Sequence, residues 1–143
     1  MIYKIKYLFF YLIFFSNTIY SFNIKKKFIS IGPAGVYGFY SLGMYSYIKS
    51  NFNINKYNFI GASSGSWTSL ICCYKGTHTE IIDKILKLDT FNKPDSLETV
   101  QSDISDFIIN NYKTSDFDLH KLHICITEFS NFKLKTNIYS NFT

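Results

Sequence analysis

Two short apolar runs in this chain each end at a glycine, and each is followed by apolar residues at helical spacing. "FISIG" sets Phe28, Ile29 and Ile31 ahead of Gly32, and "YNFIG" sets Phe59 and Ile60 ahead of Gly61. After the first comes the glycine loop "GPAGVYG", then Phe39, Leu42, Tyr45 or Ser46, and Ile48 on one helical face. After the second comes "SSGSWTSLICCYKG", an apolar helix expected to end at Gly76, the usual place for a terminal glycine. A strand, a glycine turn and a helix, repeated, is the opening of an α/β unit.

The second turn, "FIGASSGSW", carries the pattern G-x-S-x-G around Ser63. A nucleophile elbow is a strand, a turn of one residue and a helix leaving at a sharp angle, with the serine at the tip. The residues two before and two after that serine must be small, because strand and helix nearly collide there. Gly61 and Gly65 meet the requirement, and Ala62 and Ser64 keep the flanks narrow. The helix start adds free amides and a partial positive charge beside Ser63. Ester hydrolysis also needs donors for an oxyanion, and losing one typically costs about 3 to 4 kcal/mol. The amide of Ser64 is one candidate. Gly32, Gly35 and Val36 in the neighbouring glycine loop are the others, while Pro33 there contributes no N–H.

Downstream, Thr77 and Glu80 have capping-box spacing, and Ile81, Ile82, Ile85, Leu86 and Leu88 form the apolar stripe of a further helix. The loop "DTFNKPDS" contains Pro94. Leu97, Val100, Ile104, Phe107, Ile108 and Tyr112 define another helical face, with Glu98, Asp103 and Asp106 largely opposite on a solvated side. The period then changes to two. "KLHICITEF" alternates Leu122, Ile124 and Ile126 against His123, Cys125 and Thr127, and "FKLKTNIY" alternates again. Two strands joined at "SN" read as a hairpin.

The 143 residues suffice for one domain with a core. The charge of +5 comes from lysine alone, spread along the chain, and nothing in it suggests nucleic-acid recognition. Lys25 to Lys27 are expected to face solvent or a membrane. Abundant Tyr and Phe accompany abundant Asn, Ile and Lys, a bias of the whole composition rather than a set of stacking platforms. Cys72, Cys73 and Cys125 include no C-x-x-C pair, so neither a disulfide framework nor a metal site is expected, and the thiols read as buried apolar residues. No cofactor is implied.

Residues 1–21 have a basic start, the nine-residue apolar run "YLFFYLIFF" and a polar end. That is the layout of a secretory signal peptide cleaved near Ser21, or, if retained, of an anchor. The expectation is a secretory-route protein, secreted or membrane-associated, whose mature domain occupies residues 22–143.

The paired stretches "FISIGPAGVYGFYSLGMYSYI" and "YNFIGASSGSWTSLI" resemble the patatin-like phospholipase family, and "GVYGFYSLGM" looks most like its adiponutrin-type branch. The resemblance covers residues 28–75, with a weaker echo in "LHICITEF". It implies an α/β fold: an incomplete patatin-like three-layer sandwich with a mainly parallel central sheet, flanking helices and a C-terminal hairpin. It also implies a lipid acyl hydrolase acting on glycerolipid or phospholipid esters at a membrane or lipid-droplet surface. Ser63 would be its nucleophile, and the loop from Gly32 to Val36 would serve its oxyanion hole. The family's second catalytic residue is an aspartate in an Asp-Gly motif, acting without histidine. No aspartate of this chain precedes glycine, and Asp83, Asp89, Asp95, Asp103, Asp106, Asp116 and Asp118 all read as surface residues. The expectation is a chain that stops before that aspartate. The alternative is an inactive relative serving as a membrane-surface or interaction protein. An α/β-hydrolase triad using His120 or His123 has the right residue order, but its elbow would follow too few strands. His78 and His120 are expected to be exposed, and His123 to be structural.

Overall fold

The computed structural model describes residues 27–89 and 96–142. The leader expected in residues 1–21, together with Lys25, Lys26, Pro94 and Asp95, lies outside the described residues. The described chain is a mixed α/β arrangement: one open four-stranded sheet and four α-helices. Strand β1 (Lys27–Ile31) leads through a 3-10 turn (Gly35–Tyr37) into helix α1 (Gly38–Asn51). Strand β2 (Tyr57–Ala62) leads into α2 (Ser64–Cys72), then α3 (His78–Leu86) and α4 (Leu97–Asn111). Strands β3 (Leu122–Ser130) and β4 (Lys133–Tyr139) close the chain.

The strands lie in the order β1-β2-β3-β4. The first three are parallel, with Ile31 opposite Gly61 and Gly61 opposite Ile124, and β4 pairs antiparallel to β3. Parallel neighbours need crossovers long enough to hold a helix. Here α1 makes the first crossover, and α2, α3 and α4 lie within the second. Both glycine turns therefore open at the same edge of the sheet, the carboxyl ends of the strands, where ligands bind in open α/β sheets.

Side-chain alternation divides the sheet faces. Ile29, Ile31, Phe59, Leu122 and Ile124 share the face covered by α1 and α2, and the Tyr45 and Phe59 rings meet edge-on at 6.1 Å. The other face carries Phe28, Ser30, Asn58, Ile60, His123 and Cys125. Ile71, Ile81 and Ile85 are almost fully buried where α2 and α3 join the core. Each such side chain contributes roughly 1.5–3 kcal/mol relative to exposure.

Several local expectations are corrected by long-range contacts. Helix α2 ends at Cys72 rather than at Gly76. Tyr74 instead forms a β-bridge with Phe117, Lys75 N–H donates to the Asp116 carbonyl at 2.9 Å, and Asp118 N–H donates to the Cys73 carbonyl at 2.7 Å. The two backbone hydrogen bonds that make this bridge to a distant segment outweigh one more helical turn. The Thr77 side chain makes no cap bond, so the expected capping box of α3 is not formed; α4 has the real side-chain cap, Ser96 Oγ accepting from Thr99 N–H at 3.1 Å. Leu86 is exposed rather than part of the buried stripe of α3. His78 is half-buried rather than exposed, with its ring 6.0 Å from that of Tyr45. The hairpin forms, but its turn is Asn131-Phe132 rather than "SN", both at positive φ, and Ser130 pairs with Lys133. Two central residues at positive φ match the right-handed twist of the flanking strands.

Two of the three cysteines take the expected buried place. Cys72 and Cys73 are buried, Cys125 is half-buried, and all three are free. Burial pushes the Cys72 thiol far up, and burial, reinforced by the nearby Asp118 carboxylate, pushes the Cys73 thiol up to about 12.

Candidate active site

Ser63 stands alone between β2 and α2, as the residue that starts the helix, and it is exposed. Its backbone has φ 54° and ψ −128°, a combination that a residue with a Cβ rarely adopts. Such conformations cost about 1–3 kcal/mol and persist only where the surroundings over-determine them. Here the surroundings are two glycines. A Cβ on Gly61 would run into the Gly65 carbonyl oxygen and lie 2.5 Å from Ser69 Oγ. A Cβ on Gly65 would run into the Ile31 carbonyl oxygen and lie 2.7 Å from that of Gly32. The strand and helix flanking Ser63 are thus in backbone contact with each other, and the helix is in backbone contact with the end of β1. The Ser63 carbonyl accepts the first turn's bond from Ser66 N–H at 2.9 Å.

The glycine loop after β1 is tied to this turn. Ala34 N–H donates to Ser64 Oγ at 2.9 Å, across thirty positions of sequence. A Cβ on Gly38 would come within 2.9 Å of Ser64 Cβ, so the start of α1 is also packed on the turn. Gly35 has φ 55°, which lets the loop turn into the 3-10 segment. The first amides of such a segment, those of Gly35 and Val36, have no partner within it, and the same holds for the Ser64 amide at the start of α2. The Ala34 amide, which sequence reasoning did not weigh, is taken up by Ser64 Oγ.

Ser63, Ser64 and Gly35 line one cavity of about 160 Å³. Its walls are Phe39 and Leu42 from α1, Trp67, Thr68 and Ile71 from α2, Ile85 from α3, and Leu97, Val100, Gln101 and Ile104 from α4. Gly32 is not among the lining residues and sits at the crossing beside Gly65, and the Val36 backbone follows Gly35 in the 3-10 turn. The structure therefore brings Ser63, Ser64 and Gly35 together around one space, with Gly61 and Gly65 forming the crossing beneath. What the sequence reading missed is the far wall. Leu97, Val100 and Ile104 belong to the expected helical face, and Gln101 does not, but nothing local says that this face closes over a serine nearly forty residues earlier.

Among the described residues, no aspartate, glutamate or histidine lines this cavity. His123 is buried on the opposite face of the sheet, with its ring against Phe28 at 4.9 Å and Nδ1 3.2 Å from the Lys121 carbonyl. His120 is exposed, 3.4 Å from Asp118. Neither joins the serine. Among the described residues, no cluster of His, Cys, Asp and Glu is suited to a metal ion, and no helix is long and apolar enough to cross a membrane. Compared with protein-family models, curated proteins and solved structures, the chain matches none of them.

Proposed function

We propose that this chain is a lipid acyl hydrolase of the patatin-like kind, with Ser63 as its nucleophile and an ester of a glycerolipid or phospholipid as its substrate. The observation that carries the reading is the backbone of Ser63: a non-glycine residue held at φ 54° and ψ −128° at the mouth of an apolar cavity. Strain of this kind is a reason to infer function, and a serine in a loop without a task has no need of it. The cavity is close to the ~150 Å³ that accepts a benzene-sized apolar guest. It can therefore seat a short stretch of an acyl chain. The sheet order and the two turns at one edge support the larger assignment to a patatin-like three-layer sandwich. The sequence of residues 1–21 supports a secretory-route protein, secreted or membrane-associated.

In this reading Ser63 Oγ attacks the acyl carbonyl and loses its proton. The carbonyl electron pair moves onto oxygen, and the oxyanion accepts bonds from the Ser64 amide and from the Gly35 and Val36 amides. Collapse expels the alcohol and leaves an acyl-serine, which water then hydrolyses. Among the described residues, the cavity walls provide no general base. Acylation by these residues alone is therefore slow, with solvent or hydroxide taking the proton. The same lack of a base favours a second reading, in which the chain binds lipid at a surface without hydrolysing it.

The test is acylation by an activated short-chain ester such as p-nitrophenyl hexanoate. The hydrolase reading expects release of one p-nitrophenolate per chain, an acyl group on Ser63 by peptide mass, and a rate that climbs with pH without levelling near neutrality. Release with no acyl group on Ser63 removes the serine from the mechanism and leaves the binding reading.

A further inference from the structure

Helix α1 is apolar on both sides. Leu42 and Tyr45 are buried toward α2 and β2, yet Tyr40, Met44 and Tyr47, at i, i+4 and i+7, are 74 %, 63 % and 66 % exposed. Tyr37, just before the helix, is 67 % exposed, with its ring 6.2 Å from that of Tyr40. Tyr40, Met44 and Tyr47 border a shallow apolar groove whose floor at Gly43 is open. Phe39 lines both this groove and the Ser63 cavity, so the two share a wall.

A second, independent feature points to the occupant. All ten carboxylates of the chain lie at position 80 or later. Residues 27–79, which supply β1, both glycine turns, α1 and α2, carry four lysines and no acid. That half-chain contributes no negative side chain to the faces it presents, and such asymmetry between halves points to a polyanionic surface, a membrane or a nucleic acid. Tyrosine, with an apolar ring and a polar tip, is the side chain enriched where hydrocarbon meets water.

We propose that the exposed face of α1, centred on Tyr40, Met44 and Tyr47, docks on an anionic lipid surface. The groove then lies between the lipid and the Ser63 cavity, and an acyl chain drawn from the surface passes along Phe39 to the serine. This rests on the reading that the Ser63 cavity takes an acyl chain.

The test uses the full chain and vesicles of phosphatidylcholine, alone or mixed with phosphatidylglycerol. A Tyr47→Trp variant places an indole in the proposed contact. On anionic vesicles with brominated acyl chains, its added fluorescence is expected to be quenched. A Tyr40→Ser/Tyr47→Ser variant is expected to partition about tenfold more weakly into anionic vesicles, since two large apolar contacts are lost. The apolar run in residues 7–15 is common to every variant, and the site-specific quenching separates its contribution from that of α1. An unquenched indole at position 47 overturns the proposal. So does equal partition into the two vesicle compositions, or a chain dimer that the double serine variant dissolves while no quenching is seen. Labelling of Ser63 in solution is read separately on the unaltered chain. Labelling without quenching ends the docking proposal and leaves the hydrolase reading standing, and quenching without labelling does the reverse.

Discussion

The amide of Ala34 donates to Ser64 Oγ at 2.9 Å, so the loop after the first strand is held to the residue that follows the candidate nucleophile. This one bond joins the two glycine turns from above, while Gly65 joins them from below against the Ile31 and Gly32 carbonyls. The site is a crossing of backbones, and side chains larger than serine are excluded from its centre.

Replacing Ser64 by alanine leaves a partly buried N–H without its acceptor. A loss of about 1–2 kcal/mol in unfolding free energy is expected, together with slower acylation of Ser63. Ser64→Thr is not a rescue, because the Cβ of Ser64 lies only 2.9 Å from where a Cβ on Gly38 would stand. Chemical denaturation of both variants checks this, and an unchanged midpoint for Ser64→Ala contradicts it.

Gly65→Ala is expected to be more damaging than an ordinary overpacking change, at about 3 kcal/mol or more, since the new methyl meets backbone that cannot rotate away. Gly43→Ala is the matched control. A Cβ at Gly43 meets nothing within 4 Å, and alanine is the better helix former, so a gain of about 0.5–1 kcal/mol is expected. Thermal unfolding of the two variants should move in opposite directions.

The three thiols should separate by reactivity. Cys72 and Cys73 are buried with their thiols pushed up by that burial, whereas Cys125 is half-buried. With Ellman's reagent at mildly alkaline pH, one thiol is expected to react readily and the other two only after unfolding. Rapid reaction of all three in the native chain runs against the packing described.

Asp118 accepts from Lys121 Nζ at 2.9 Å, and that bond holds its carboxyl below the usual range. The folded-state pKa is depressed. The pair's stabilisation is therefore present above the ordinary aspartate value of about 3.9 and is lost as pH falls through the lower folded value. Asp118→Asn should lower stability at neutral pH and flatten the acid limb of the stability profile. An acid limb identical to that of the parent chain shows that the pair is not coupled to folding.

The parts of this fold that were legible in the sequence are those fixed by neighbours along the chain. Gly61 and Gly65 bracket Ser63, and the need for small residues there is a matter of five consecutive positions. Leu122, Ile124 and Ile126 alternate, and a strand follows. What stayed hidden depends on residues far apart. The end of α2 is decided by Tyr74 meeting Phe117, and no propensity around Gly76 records it. The Ala34 bond to Ser64 spans thirty positions, and the cavity wall from Val100 to Ile104 comes from a helix whose apolar stripe looks like any other. Thr77 had the right spacing for a cap and makes none. The turn at Asn131-Phe132 lacks the glycine that would have marked it.

The most direct test of the account is the reaction of the full chain with a fluorophosphonate, read by intact mass and by the modified peptide. One adduct per chain is expected, located on Ser63, absent from Ser63→Ala and absent after unfolding, because the hydroxyl is reactive only on its strained turn beside bare amides. Equal labelling of the parent chain and Ser63→Ala, or an adduct that survives prior unfolding, contradicts it.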